Sequence, residues 1–497
     1  MKDERQYKTP FFTKLKAYGT SDVSPLDVPG HKLGKIKNDL MDFTGQAVFT
    51  LDANAPIGLD TLGKPQGVIK EAEKLMAYAC GADKSYFLTN GTSVGILAMI
   101  MSTCRANEKI ILPRNVHKSV INGLILSGAI PIFVKPDIDI ELGIANGVFF
   151  ESYEEAIKNH PDAKAVFVIN PTYFGITSDL VRITDFAHEN DMVVLVDEAH
   201  GAQFYFSEKL PLTAMAAGAD ISSISMHKTA GSLTQSSVLL TKGKRINQVR
   251  LRTTLNMLQS TSPNSILIAS LDVARKTMYF EGERRINKLL AMAEGTKNML
   301  KQIPGLKIID SEYLKNRPGF NLDLTKIVIK VSGLGLSGFE VIQKLRKRFN
   351  IQMELAESHI VLAVLTIGTT KDDLDRLVNA FKELSHQYYK VRKQLPKTKF
   401  IYQFPEAFAR PRDAYHAPRL HVPLEEAYDE ICAESIMIYP PGIPFVIPGE
   451  IITKEVINDI KHYLKKGAVI HSELDNGYIK IIDKEHWIKW EGEDNEF

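Results

Sequence analysis

Lys228 ends the run ISSISMHK (Ile221 to Lys228), whose apolar and small residues read as a strand entering a core. A lysine desolvated at such a strand end has reason to lose its proton, and a neutral amine is a nucleophile toward a carbonyl. A lone lysine has a plainer fate, snorkelling to the surface along its alkyl stem. Three further strand ends change the comparison, because each carries a different chemistry. FLTNGTS (Phe87 to Ser93) puts Gly91, Thr92 and Ser93 at the opening of an apolar helix. Glycine permits an unusual turn there, and two hydroxyls with free amides at a helix N-terminus make an anion site. Either hydroxyl alone would serve as a simple N-cap. PRNVHKS (Pro113 to Ser119) places His117 at the next helix start. VDEAH (Val196 to His200) ends a strand on Asp197, with Ala199 and His200 behind it. A carboxylate at the end of a buried strand is costly unless it meets a cation or several donors. Asp197 with His200 is also a fragment of a metal site, but no further ligand stands at regular spacing, so no metal is expected.

One ligand uses all of these ends. An aldehyde cofactor with a phosphate and a pyridine ring needs a lysine for a Schiff base and a cradle for its phosphate. It also needs a carboxylate to keep the ring nitrogen protonated and a flat group over the ring. Pyridoxal 5'-phosphate matches, since its protonated ring is an electron sink.

The elements that must position these residues follow an alternating pattern. From about residue 66, helical stretches such as GVIKEAEKLMAYACG, TSVGILAMIMSTC and HKSVINGLILSG interleave with short apolar runs. KSYFLTN, KIILPR, IPIFVKP, AVFVIN, MVVLVDEAH and DISSISMH are the strand candidates. Near-continuous apolar strands alternating with helices predict an α/β fold, a mostly parallel sheet covered on both faces. In such sheets ligands bind beyond the carboxyl ends of the strands. Residues 1–55 read as an irregular arm with some helix, and 56–310 as the large cofactor-binding domain. After about residue 310, KIVIKV, FEVIQKLRKRF, NIQMEL, HIVLAVL and a helix near 371–390 predict a small α+β domain over 311–392. VRKQLPKTK (391–399) reads as a linker, and 400–497 as a C-terminal domain holding YPPGIPFVIPGE. GLGLSG (Gly333 to Gly338) fits a dinucleotide fingerprint, with Glu354 downstream. Only one such unit is present, and a strand–helix turn explains its glycines.

The bulk composition narrows the partners. The chain has 497 residues, 44% hydrophobic and 24% charged, the balance of a globular protein of two or three domains. A formal charge of +2 gives no electrostatic reason to expect nucleic acid or a membrane surface. Cys80, Cys104 and Cys432 are too scattered for a disulfide framework or a zinc site. The charged start MKDERQYKTPFFTKLKAYG has no apolar core, so no signal peptide is read, and no run approaches the roughly 20 apolar residues of a membrane helix. A cytoplasmic location is expected.

In sequence order, VPGHKLG, LDTLGKPQGVIKEAEKLMA, FLTNGTS, PRNVHKS, VINPTYFG, VDEAHGA, SMHKTAGSLTQSS, IASLDVARK and YPPGIPFVIPGE resemble the Orn/Lys/Arg decarboxylases. These are fold-type I pyridoxal-phosphate enzymes, and the likeness is strongest to the short Gram-positive arginine decarboxylases of polyamine biosynthesis. The resemblance implies that Lys228 forms the Schiff base and that Asp197 pairs with the ring nitrogen. It implies Ala199 under the ring, His117 stacked above it, and Gly91, Thr92, Ser93, Ser225 and His227 around the phosphate, with His200 also at the cofactor. The catalytic set is then Lys228, His227, Asp197 and His117, with His227 or Lys228 returning the proton after carbon dioxide leaves. STSP (Ser260 to Pro263), including Ser262, resembles a segment reaching a neighbouring subunit's phosphate. A homodimer or higher homo-oligomer with its active site at the interface is therefore expected. The family's larger members carry an extra N-terminal domain, and with VPGHKLG so near the start of this sequence none is expected here.

The expected reaction is decarboxylation of a basic amino acid, arginine first, then lysine or ornithine. Glu450 and Asp413 are candidate partners for a guanidinium, which wants a bidentate acidic group. An aminotransferase or lyase on the same fold is the second reading, because Arg410 and Arg412 could clamp an α-carboxylate. A non-catalytic binding protein is the third, opposed by the retained lysine, aspartate and histidines.

Overall fold

The computed structural model describes residues 2–491 except 394, 396–403, 440–442, 466–468 and 473–476. Most of the expected linker and the start of YPPGIPFVIPGE lie outside the described residues.

The central sheet has seven strands: β1 (Lys84–Leu88), β2 (Lys109–Pro113), β3 (Ile130–Val134), β4 (Ala165–Ile169), β5 (Val193–Asp197), β6 (Ile221–Ile224) and β7 (Ser237–Thr241). Their order is β1-β7-β6-β5-β4-β2-β3. The pairs from β6 to β3 are parallel, and β7 pairs antiparallel with both β1 and β6. Six strands therefore run one way and β7 runs against them. Both faces are apolar by alternation. Along β4, Ala165 and Phe167 enter one core cluster while Val166 and Val168 enter the other. The strand β5 repeats this with Val193 and Leu195 against Val194 and Val196. This is the doubly covered α/β sheet that the apolar runs predict.

Helices cover the two faces: α1 (Pro10–Gly19), α2 (Val68–Ala79), α3 (Gly91–Thr103), α4 (Lys118–Ser127), the short α5 (Met226–Thr229) and the long α6 (Ser265–Lys301). The N-terminal arm is pinned to α6. Phe11 and Phe12 donate their amides to Asp272, whose carboxylate also pairs with Arg275 at 2.8 Å. Arg275 in turn donates to the Gln6 carbonyl. Both members of that ion pair are fully buried. Removing one partner of a buried pair strands the other charge, so Arg275→Met is expected to destabilise the protein by about 3–5 kcal/mol. A thermal melt checks this, and an unchanged Tm would refute it.

Beyond α6 a second sheet joins β8 (Lys326–Lys330) and β9 (Ile360–Val364) with the short strands Lys307–Ile308 and Leu355–Ala356, all antiparallel. It packs on α7 (Gly338–Phe349), α8 (Lys371–Tyr388) and the C-terminal half of α6. NIQMEL differs from expectation: Asn350 leaves α7 in the left-handed region, and only Leu355–Ala356 pairs as strand. The glycines of GLGLSG are packing positions. A Cβ on Gly338 would stand 2.1 Å from the Glu357 and Ile360 carbonyl oxygens, and one on Gly333 would stand 2.4 Å from that of Gly305. Ser337 then caps α7 in a reciprocal box with Glu340.

Candidate active site

The six co-directional strands bring their carboxyl ends to one edge, and β7 brings its first residue, Ser237, to the same edge opposite Leu88. A cavity of about 350 Å³ opens there. Its lining includes Gly91, Thr92, Ser93, His117, Asp197, Ala199, His200, Ser225, His227 and Lys228. The fold thus gathers every singled-out residue of these four strand ends.

Lys228 sits on α5, one short turn after β6. Its Nζ lies 2.9 Å from His200 Nε2 and 5.2 Å from the centre of the Tyr173 ring. Burial pushes its ammonium below the ordinary value; Asp197 and Glu354 oppose that shift and Lys326 reinforces it. His200 packs against Tyr173 with ring centroids 4.3 Å apart and ring planes tilted by 52°. Burial, then the Lys228 charge, hold His200 well below its ordinary pKa, so the ring is neutral. Its Nδ1 is buried without a hydrogen-bond partner.

Asp197 closes β5. Its Oδ1 accepts from the Ala199 amide at 3.1 Å, and Oδ2 accepts no hydrogen bond among the described residues. Burial raises this carboxyl, more than the Ala199 amide and Lys228 lower it. His117 is the N-cap of α4 and takes the Ser119 amide on Nδ1 at 3.2 Å. Burial, then Lys228, push it down to about 4, leaving a flat neutral ring at neutral pH. His227 sets its Nδ1 2.9 Å from the Ser236 carbonyl oxygen, which requires the proton on that nitrogen.

The N-terminus of α3 faces the same cavity. Asn90 makes no side-chain cap, and Gly91 adopts φ +73° with nothing within 4 Å of where a Cβ would stand. The Thr92 hydroxyl meets those of Ser225 and Ser237. An uncapped helix start ringed by hydroxyls suits a phosphate, and a buried carboxylate oxygen without a donor suits a ring N–H. The residues present therefore fit pyridoxal phosphate.

Other expected residues lie elsewhere. Ser262 is exposed and outside the cavity; its neighbours Ser260, Thr261 and Pro263 line a separate depression with Asp60 and Leu62. Glu450 is buried against Arg114 at 2.7 Å, and the half-buried Asp413 pairs with Arg410 at 2.5 Å. Arg412 donates to the Ile125 carbonyl. Glu450, Asp413, Arg410 and Arg412 are thus engaged within the chain, and the cavity lining includes none of them. Sequence reasoning missed Tyr173, in the loop PTYFG, and Ser237, the first residue of an unread strand. It also missed Glu198. Burial pushes Glu198 to about 7 while it accepts from Tyr205, Ser222 and the Ala214 amide, tying the segment after β5 to β6.

The family model for the Orn/Lys/Arg decarboxylase major domain matches residues 9–373, and that for the C-terminal domain matches 393–474. The arginine decarboxylase of Bacillus subtilis is 42% identical over 488 residues, covering 97% of this chain and 100% of that protein. The crystal structure of the Francisella novicida lysine decarboxylase superposes with a TM-score of 0.83 at 22% identity, over 96% of this chain and 82% of that one. The ureidoglycine–glyoxylate aminotransferase of Bacillus subtilis shares the fold more distantly, with a TM-score of 0.52 at 13% identity over 65% of this chain and 86% of that one. The likeness to these two structures places the large domain in the fold-type I class.

Proposed function

The chain belongs to the Orn/Lys/Arg decarboxylase family, and from that premise we propose that it releases carbon dioxide from L-arginine to give agmatine. The observation that carries arginine over lysine is the end-to-end match to an arginine decarboxylase. Pyridoxal phosphate, when bound, supplies an electrophilic carbon for amines and a pyridinium ring that accepts the electrons of the breaking bond. Lys228 would hold its aldehyde. The α3 N-terminus with Thr92, Ser93, Ser225, Ser237 and His227 would hold the phosphate. Asp197 would hold the ring nitrogen protonated and so keep the electron sink active. His117 and Ala199 would flank the ring.

The chain's own residues set the proton inventory. His200 is neutral, so its Nε2 can accept from Lys228 and return that proton. Lys228 as its ammonium, and His227 only when it carries a second proton on Nε2 beside the one the Ser236 carbonyl holds on Nδ1, are the two groups proposed to protonate the carbon after decarboxylation. For the far end of the substrate, Glu450 and Asp413 already have guanidinium partners. Glu354 also stands outside the cavity lining, but it is exposed, has no ion pair among the described residues, and its charge acts on Lys228. It is therefore the carboxylate proposed to face the guanidinium. Glu354→Gln is expected to raise KM for arginine about tenfold or more with a smaller change in kcat, as loss of a charge-assisted pair does. Unchanged steady-state kinetics would remove Glu354 from the site.

A homodimer with Ser262 reaching the partner's site is part of this proposal. Leu26, Phe43 and Ile57 are almost fully exposed, as a surface that a second copy covers would be. No described helix is long and apolar enough to cross a membrane, and a cytoplasmic enzyme is proposed. The test is carbon dioxide release from arginine, lysine and ornithine, measured side by side with added pyridoxal phosphate. Release from arginine at the highest kcat/KM supports the proposal. Keto-acid-dependent amino exchange without carbon dioxide would replace it with an aminotransferase.

A further inference from the structure

Two ion pairs among the described residues have both side chains fully excluded from solvent: Arg275–Asp272 and Lys326–Asp323. The first braces the N-terminal arm. The second stands at the start of β8, with Lys326 Nζ 2.8 Å from Asp323 Oδ2. Asp323 is itself fixed, since Oδ1 accepts from the Thr325 amide at 2.9 Å and hydroxyl at 2.6 Å. A buried ion pair contributes little stability over apolar side chains of equal volume, so stability alone does not explain this one.

The pair abuts the back of the cavity. The Asp323 amide donates to the Gly175 carbonyl at 2.8 Å, and Asn321–Leu322 pairs as strand with Ile176–Thr177. Gly175 has φ +85°, and a Cβ on it would stand 2.9 Å from Lys326 Cγ. The residues just before it, Pro171 to Phe174, line the cavity. Among them Tyr173 packs its ring, tilted, against His200, which holds Lys228. From the far side, Gln203 donates to Thr325 Oγ1 at 2.7 Å.

We propose that Lys326, fixed by Asp323, is a positioning residue for the Lys228 site: it props the loop 171–175 from behind and places its side-chain charge behind His200. The proposal rests on Lys228 being the cofactor lysine. The charged and titratable groups acting on His200 are Lys228, Lys326, His117 and His227, and all of them oppose its protonation. On Lys228 the groups are Asp197 and Glu354, which favour the ammonium, and Lys326, which disfavours it. Removing the Lys326 charge therefore leaves the Lys228 amine more basic, and a protonated amine cannot attack an aldehyde.

The test titrates full-length apoprotein with pyridoxal phosphate across pH and reads the visible band of the lysine-bound cofactor. In Lys326→Met the pH midpoint for forming the band is expected to rise by about one unit. Lys326→Arg keeps the charge and is expected to stay near wild type. A Lys326→Met protein that melts lower, yet keeps the wild-type midpoint and visible circular dichroism, would overturn the proposal. Should Lys326→Met fail to fold, Lys326→Gln decides, because it removes the charge and keeps a donor for Asp323. A raised midpoint supports the proposal there, and a wild-type midpoint overturns it. A wild-type protein that forms no band at any pH would instead bring down the cofactor role of Lys228 itself, and this inference with it.

Discussion

Lys228→Ala is expected to lower turnover by about 10⁴-fold or more and to leave a folded protein without the visible cofactor band. The size of the effect follows from the position of the amine. Among the cavity residues Lys228 alone offers an amine to an aldehyde, and both His117 and His200 are held neutral around it. In the proposed function its loss would remove the attachment of the cofactor, the release of the product and one of the two groups proposed to return a proton. The effect on folding is far smaller. Among the described residues the amine makes one hydrogen bond, to His200 Nε2, and stranding that nitrogen costs about 1–3 kcal/mol. Arginine-dependent carbon dioxide release and the absorbance spectrum, measured on the same preparation, test both halves. A variant that retained normal kcat would end the assignment of Lys228.

The strand ends were legible because local composition marks them. An apolar strand buried on both faces has no reason to end in Asp197 or Ser225-Met226-His227-Lys228 unless the edge binds something, and parallel order brings such ends together. Features set by long-range pairing were not legible. Glu450 looked available for a substrate guanidinium because its partner, Arg114, is 336 positions away in the chain. The strand β7, SVLLT, begins on the last serine of SLTQSS and has only three apolar residues, too few for periodicity to separate it from a helix end. Its reversal carries Ser237 to the Thr92 hydroxyl. Tyr173 sits in a loop with no period to betray it. Glu354 stood out only as the acidic residue of a false dinucleotide fingerprint. Its nearness to Lys228 depends on how the second sheet docks against the first, which no local pattern encodes.

Asp197→Asn is expected to move activity and stability in opposite directions. Turnover should fall by about a hundredfold or more, because without this charge the ring nitrogen would not keep the proton that makes the ring an electron sink. The cofactor-free protein should become more stable at neutral pH. Burial raises the Asp197 carboxyl above its ordinary value of 3.8, so the folded protein binds this proton more tightly than the unfolded chain does. Across the window between those two values the unfolded chain carries fewer bound protons, and stability is lost as pH rises. At about pH 3 the wild-type apoprotein carries none of this penalty, and above the raised value it carries all of it. Asparagine keeps the shape and the acceptor for the Ala199 amide but has no charge to desolvate. The Tm difference, variant minus wild type, should therefore be near zero in acid and positive at about pH 8. Adding pyridoxal phosphate should reverse the order. The carboxylate then meets a protonated ring nitrogen and stabilises the wild type by mass action, while the amide has no charge to offer. Melting curves of both proteins at acid and neutral pH, with and without pyridoxal phosphate, separate these signs. A variant less stable than wild-type apoprotein at neutral pH would mean that the Asp197 charge serves the fold itself. In that case the buried carboxylate would lose its standing as a group held ready for a cation.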